Sequence, residues 1–301
     1  MSMSNKAMPA LRKKKHRRLE GMDIFSAAVL TVFVILIAFP FYTAIITSFT
    51  TSMSYVKQPI QLIPNSFTLE NYEYAFDRMD VLRGYKNTLF IVAVGTVIGM
   101  VISLTYSYAL SMKAYPGKKL AFIFLLITMY FGGGLIPTYL LIRDLKLINN
   151  PFAIIFLHAV SPFNIIIMKN GIDQLPASLM EAGRIDGANE WQTFVHIVVP
   201  LIKPIVVTFS LFTAVGYWNE WYWSMIVLTK PAVKTLQIML RTIVANMDAA
   251  DLDMANTDYV EVFSQGLKMA SVVITMVPIM IVYPFLQKHF AAGILVGAVK
   301  M

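Results

Sequence analysis

Long apolar stretches alternate with short polar ones along this chain. Six of them approach the roughly 20 residues that a helix needs to cross a bilayer. They run from Ile24 to Phe49, Thr88 to Met112, Leu120 to Ile142, Pro151 to Met168, Pro204 to Leu228 and Leu267 to Leu286. The pattern predicts an all-α fold: a polytopic membrane protein with six transmembrane helices. Apart from tyrosines, only His158, Glu220 and the boundary residue Lys268 are ionisable within these spans.

The spans are not uniform rods. Gly95, Gly99, Ser103 and Ser107 recur every fourth residue, which makes one small face where another helix can approach closely. Gly132-Gly133-Gly134 and Pro137 interrupt the third span, and a break there is expected either as an ordinary kink or as a lining of a cavity. Pro162, Pro278 and Pro284 fall within the fourth and sixth spans. Two polar connections are long, Thr50 to Asn87 and Lys230 to Gln265. The second carries Asp248, Asp251, Asp253, Asp258 and Glu261, and its part from Thr235 to Val244 has the mixed character of a segment folded back on the membrane surface.

Composition supports a membrane location. Hydrophobic residues make up 57% of 301 and charged residues only 14%, against about 25% in soluble domains. Seven basic residues lie between Lys6 and Arg18, directly before the first span. A basic run in that place is a topogenic signal rather than a nucleic-acid site. Assigned by alternating sides, 15 Lys and Arg fall with the termini and 10 on the opposite side, so both termini are expected in the cytoplasm. Residues 1–23 read as a basic cytoplasmic segment and 24–301 as the transmembrane domain. Cysteine is absent, which excludes disulfides and thiolate chemistry.

Catalytic motifs are missing. No Gly-x4-Gly-Lys-Ser/Thr phosphate loop occurs, and Gly117-Lys118-Lys119 lacks its flanking residues. The four histidines have no metal-ligand spacing, and no serine sits in a Gly-x-Ser-x-Gly elbow. The sequence therefore predicts neither ATP hydrolysis nor a bound metal or cofactor.

The connection between the fourth and fifth spans is the most informative segment. Pro176-Ala177-Ser178 opens a short helix and Gly187 fits its end. A second short helix is expected from Asn189 to Ile197, stopped by Pro200. Leu179, Ala182 and Ile185 recur at three-residue spacing, with Glu181 and Asp186 off the stripe. Such an element lies on a membrane face or presses into a partner. Glu181-Ala182-Gly183, Gly187, Ile197 and Val199-Pro200 have the spacing Glu-Ala-Ala, three residues, Gly, nine residues, Ile, one residue, Leu-Pro. The segment resembles the EAA loop of permease subunits of binding-protein-dependent type I ABC importers, with Gly183 for Ala and Val199 for Leu.

Leu69-Glu-Asn-Tyr72, Asn87-Thr-Leu89, Gly132 to Tyr139, Trp218-Asn219 and Gly293 to Lys300 also resemble the carbohydrate-uptake branch, in particular the smaller permease of oligosaccharide importers. The resemblance implies a multi-pass protein of a prokaryotic plasma (inner) membrane with a coupling loop over about 170–203. Glu181, Ala182, Gly183, Asp186, Gly187, Ile197 and Pro200 would engage an ATPase. It implies as partners a second homologous permease, two copies of an ABC ATPase that uses the ATP, an external solute-binding protein and a carbohydrate substrate.

Tyr217 to Trp223 is an aromatic run. Trp218, Asn219, Glu220 and Trp221, with Gly133 and Tyr139, are candidates for the substrate path, because sugar rings stack on indoles. An interfacial aromatic belt explains the same run. The rival class, a self-contained carrier or channel, would need charge-paired residues inside the spans, for which only Glu220 and His158 are available.

Overall fold

The computed structural model describes residues 21–78, 80–112, 116–252 and 263–298. The basic run from Lys6 to Arg18, the acidic residues Asp253, Asp258 and Glu261, and Lys300 lie outside them. Among the described residues every regular element is helical. Three helices are each long and apolar enough to cross a membrane: Ile24–Ser48 within Gly21–Ser48, Val81–Ser111, and Ser264–Pro284 within Ser264–Ala298. Three bent pairs supply the remaining crossings when each is taken as one span. Lys118–Tyr130 meets Leu135–Asp144 at 116°, Pro151–Leu157 meets Pro162–Asp173 at 50°, and Glu190–Leu201 meets Lys203–Trp218 at 83°.

The boundaries shift for local reasons. The second span begins at Val81, not Thr88. Asp80 stands before it in the left-handed region (φ 53°), and Arg83 pairs with it at 2.9 Å. The expected unbroken fifth span ends at Trp218. There Asn219 turns its side-chain amide back onto the Val215 carbonyl (3.0 Å), and a separate helix, Tyr222–Val227, follows. Asn competes for backbone partners in this way and so favours helix ends. Pro162 is not a kink within the fourth span. It occupies the first turn of a new helix whose cap is Ser161, accepting from the Asn164 N–H, a position where a missing N–H costs nothing. The sixth helix runs through Pro278 and Pro284 without a break.

The second span is the central post. Its small face does what the spacing predicts. A methyl group on Gly95 would come within 2.6 Å of the Tyr217 ring. Ser103 and Ser107 are buried, and the Ser107 hydroxyl donates to the Ile165 carbonyl at 2.9 Å. Tyr217, on the Lys203–Trp218 helix, donates to the Ile155 carbonyl (2.8 Å) and so reaches across the second span to the fourth.

The segments around Asn71-Tyr72 and Asn87-Thr88, noted above for their resemblance, act as fasteners here. Asn71 donates to the Ser48 carbonyl (2.9 Å) and Tyr72 meets the Ser48 hydroxyl (2.7 Å), which closes the end of the first span. Asn87 donates to the carbonyls of Ala232 and Lys234, and Thr88 accepts from the Leu236 N–H. These bonds start the helix Leu236–Leu252. Leu236, Leu240 and Ile243 of this helix pack into a core with Val81, Trp218, Leu267 and Ile274.

Two of the helix breaks are tied to each other. His158 ends the first half of the fourth span, and Glu220 lies in the break after Trp218. Their side chains meet at 3.1 Å. Glu220 also accepts from the Trp223 N–H at 2.7 Å, so one carboxylate caps the next helix and grips the neighbouring span.

Two outcomes are expected. Gly95→Ala forces the Tyr217 ring aside and should cost about 1–3 kcal/mol, read as a lowered thermal midpoint in detergent; an unchanged midpoint would show that the contact is slack. Glu220→Ala removes a cap and the side-chain contact with His158 and should cost on the order of 2–3 kcal/mol. His158→Ala in the Glu220→Ala background should add little, since coupled partners are non-additive. Additive losses would mean that the pair does not act together.

Candidate functional site

The face of the protein where the first span begins is called proximal below, and the opposite face distal. The proximal connection from Gly171 to Leu201 is built from several local locks. The helix Ala177–Ile185 ends as the sequence predicts, at Gly187, whose φ of +84° is open to glycine at no cost. The Ala188 N–H bonds the Gly183 carbonyl (2.9 Å) and the Gly187 N–H bonds that of Arg184 (3.1 Å), the paired bonds of a Schellman ending. Asn189 then caps the next helix reciprocally: its side chain accepts from the Gln192 N–H (2.8 Å), and Gln192 accepts from the Asn189 N–H (2.9 Å). This is a capping box.

Pro200 does not end that second helix, which continues to Leu201. The turn before it, Phe194–Val198, widens into a π-helix. A wide turn relieves the clash between a proline ring and the carbonyl four residues back.

Two positions of the sequence signature touch directly. A methyl on Gly183 would lie 2.6 Å from Ile197 Cδ1. So Gly183 faces its own chain, while Glu181, Ala182, Asp186 and Gly187 are exposed. The apolar stripe is turned outward. Leu179 is exposed, and Ile185 retains 85% of its accessible surface. Trp191, on the following helix, is exposed as well.

A further set of residues was not evident from the sequence. Glu190 accepts from Arg184 Nε (3.1 Å) and pairs with Nη2 (2.8 Å), and its other carboxylate oxygen accepts from the Tyr108 hydroxyl at 2.7 Å. Tyr108 belongs to the proximal end of the second span. An exposed ion pair is worth only about 0–1 kcal/mol, so the bridge contributes position rather than stability. It links the loop helix to the central post. The separation of 82 residues between Tyr108 and Glu190 left no local signal.

The distal candidates are brought together only in part. Trp218 is buried in the core with Val81 and Leu236. Asn219 is exposed, and Glu220 is held by His158 and Trp223. Trp221 is exposed, and the Arg241 guanidinium lies 3.9 Å above its ring, a cation–π contact. Gly133 lies in the exposed break of the third span, and Tyr139 packs at the edge of the core that holds Ile142 and Ile154. No group of three or more His, Cys, Asp or Glu among the described residues is placed to hold a metal.

The family model of "binding-protein-dependent transport system inner membrane component" matches residues 120–296. Protein LplC of Bacillus subtilis is 40% identical over 264 residues, covering 87% of this chain and 88% of that protein. The permease protein YtcP of a polygalacturonan/rhamnogalacturonan transport system, also from Bacillus subtilis, is 36% identical over 284 residues, covering 92% and 98%. A chain from the crystal structure of a bacterial ABC transporter involved in import of the acidic polysaccharide alginate superposes with a TM-score of 0.80 at 29% identity, covering 89% of this chain and 96% of that one. Six apolar crossings, a proximal loop with the EAA spacing and these matches agree: the chain belongs to the binding-protein-dependent inner membrane components and is a permease subunit of an ABC importer, a transport subunit and not an enzyme.

Proposed function

We propose that this chain forms half of a translocation path for an oligosaccharide and couples to an ATPase through the helix Ala177–Ile185. One observation carries the reading. The apolar stripe Leu179, Ala182 and Ile185 is turned away from its own chain, on a short helix fixed at its end and from behind. An exposed apolar stripe backed by a rigid mount suits a docking helix in a groove of a partner. The mount is Gly183 on Ile197, the Schellman ending and the Arg184–Glu190–Tyr108 bridge. A push on the stripe would then reach the second span through Tyr108.

Glu181, Asp186 and Gly187 take the polar rim and the turn of this contact, and Pro200 and Ile197 hold its back. The partner is an ABC ATPase present in two copies, which supplies the hydrolysis for which this chain has no phosphate loop. A second, homologous permease completes the path. A solute-binding protein delivers the substrate at the distal face, and both termini lie in the cytoplasm, following the Lys and Arg bias. Residues 24–301 form the transmembrane domain, with the coupling loop over about 170–203.

For the substrate, the named relatives handle polygalacturonan, rhamnogalacturonan and alginate, and an oligosaccharide of this kind is the reading adopted here. The path is assigned to Trp221, Asn219 and Gly133, which are exposed, with Tyr139 at its edge. Glu220 borders the path while serving as a cap, and Trp218 supports it from the core. The break at Gly132 to Gly134 suits a water-filled path, because open backbone at membrane depth is not tolerated against lipid.

Burying Ile185 in a partner groove is worth about 1.5–3 kcal/mol. Ile185→Asp should therefore weaken co-purification of the ATPase by roughly tenfold or more, with the permease still folded. Retained ATPase binding and uptake would overturn the docking reading. Trp221→Ala should reduce oligosaccharide uptake roughly three- to tenfold, from lost stacking, without loss of ATPase binding. Unchanged uptake would return Trp221 to an interfacial belt.

A further inference from the structure

The distal loop between the first two spans serves neither the core nor the site above. It is a closed loop whose ends meet. The Thr68 N–H returns to the Phe49 carbonyl at 2.9 Å, Phe49 stacks on Phe67 with centroids 5.1 Å apart, and the hydroxyls of Thr51 and Ser66 meet at 2.7 Å. Gln61 is its hub. Its amide donates to the carbonyls of Ser54 (3.0 Å) and Gln58 (2.9 Å), and its oxygen accepts from the Asn65 N–H (3.2 Å). Gln61 is buried while several apolar side chains turn out. Val56, Ile60, Leu62, Ile63 and Phe67 are all exposed, with Ile63 at 77%. Between Thr50 and Leu69 there is no acidic residue and one basic residue, Lys57.

One contact sets the depth of this face. The Tyr42 hydroxyl donates to the Leu62 carbonyl. Tyr42 lies six residues before the end of the first helix at Ser48, about 9 Å along it. Helical side chains lean toward the N-terminus, so Leu62 sits at least that far down. The loop is folded back along the span. The apolar stretch Ile24–Ser48 has 25 residues and is about 37 Å long, against a hydrocarbon core of about 30 Å. With the span centred, Ser48 stands about 4 Å outside the core and Leu62 about 5 Å within it. The span is exposed from Ile24 to Tyr42 and buried at Ala44 and Ser48, so the loop tip, held at Tyr42, adjoins the exposed part of the span. Backbone at that depth needs partners; Tyr42 supplies one to Leu62, and Gln61 serves Ser54, Gln58 and Asn65.

We infer that residues 56–67 form an apolar wedge seated in the distal leaflet, with Ile60, Leu62 and Ile63 at the boundary of headgroups and acyl chains. Lys57, at the edge of the wedge, reaches the lipid phosphates. The occupant of this face is lipid, not a protein partner.

The absence of cysteine allows a direct test. Ile63→Cys, Leu62→Cys and, as a water-facing reference, Glu73→Cys are labelled with a polarity-sensitive fluorophore. The full-length protein, together with its co-purifying subunits, is placed in phosphatidylglycerol-containing vesicles. Labels at 62 and 63 should emit to the blue of the label at 73. A nitroxide lipid with its label near the headgroup should quench them roughly twofold or more, while aqueous iodide leaves them bright, as expected for residues 5–10 Å deep. The label at 73 should show the reverse. Iodide quenching at 62 and 63 would mean a loop in water or a surface reserved for the binding protein. Protection from both quenchers would mean burial against a second permease. Either result overturns the wedge.

Discussion

In hydrocarbon, a backbone N–H or carbonyl without a partner costs several kcal/mol, and this chain interrupts three of its six crossings. Most of its distinctive side chains answer that constraint. Ser161 receives the N–H of Asn164 where the fourth span restarts. Asn219 closes one helix, and Glu220 opens the next while holding His158. In the third span, the Thr138 hydroxyl returns to the Gly134 carbonyl at 2.7 Å. A polar side chain inside this membrane protein is thus first a backbone partner, and any role with substrate is added to that duty. Glu220 shows the overlap most clearly: one carboxylate both caps a helix and joins two spans.

The same economy shapes the proximal loop. A helix of nine residues is too short to be stable alone. It is held by its ending at Gly187, by the reciprocal cap of Asn189 and Gln192, and by Gly183 against Ile197. These leave Leu179 and Ile185 free to face outward. The signature spacing acquires a physical meaning. Gly183 and Ile197, fourteen residues apart, are in contact, and Gly187 makes the turn that brings them there. The departure of Gly183 from alanine is small, because a methyl there would press only on the mobile end of Ile197.

Parts of this were legible in the sequence. The four-residue repeat from Gly95 to Ser107 marked a close helix contact, and the structure puts Tyr217 and the fourth span against it. The glycine run marked the break in the third span, though not its 116° turn. The helix end at Gly187 followed from one residue type. The expectation failed where a residue acts against its usual signal. Pro200 reads as a stop in the sequence, but a π turn carries the helix past it. The fifth span reads as continuous to Leu228, but the helix ends at Trp218, where the backbone N–H and the side-chain amide of Asn219 both bond the Val215 carbonyl.

What the sequence determined alone is the solvent and the local grammar. Apolar length fixes the crossings, and small residues, caps and glycine fix where helices pack and stop, because these depend on neighbours within a few residues. What the tertiary structure decided is which distant groups meet. His158 and Glu220 were both visible as charges in spans, yet 62 residues part them and only the packing of two breaks joins them. Tyr108 and Glu190, or Tyr42 and Leu62, carry no mark in their own surroundings. Their pairing depends on how rigid helices stack, which no local pattern encodes.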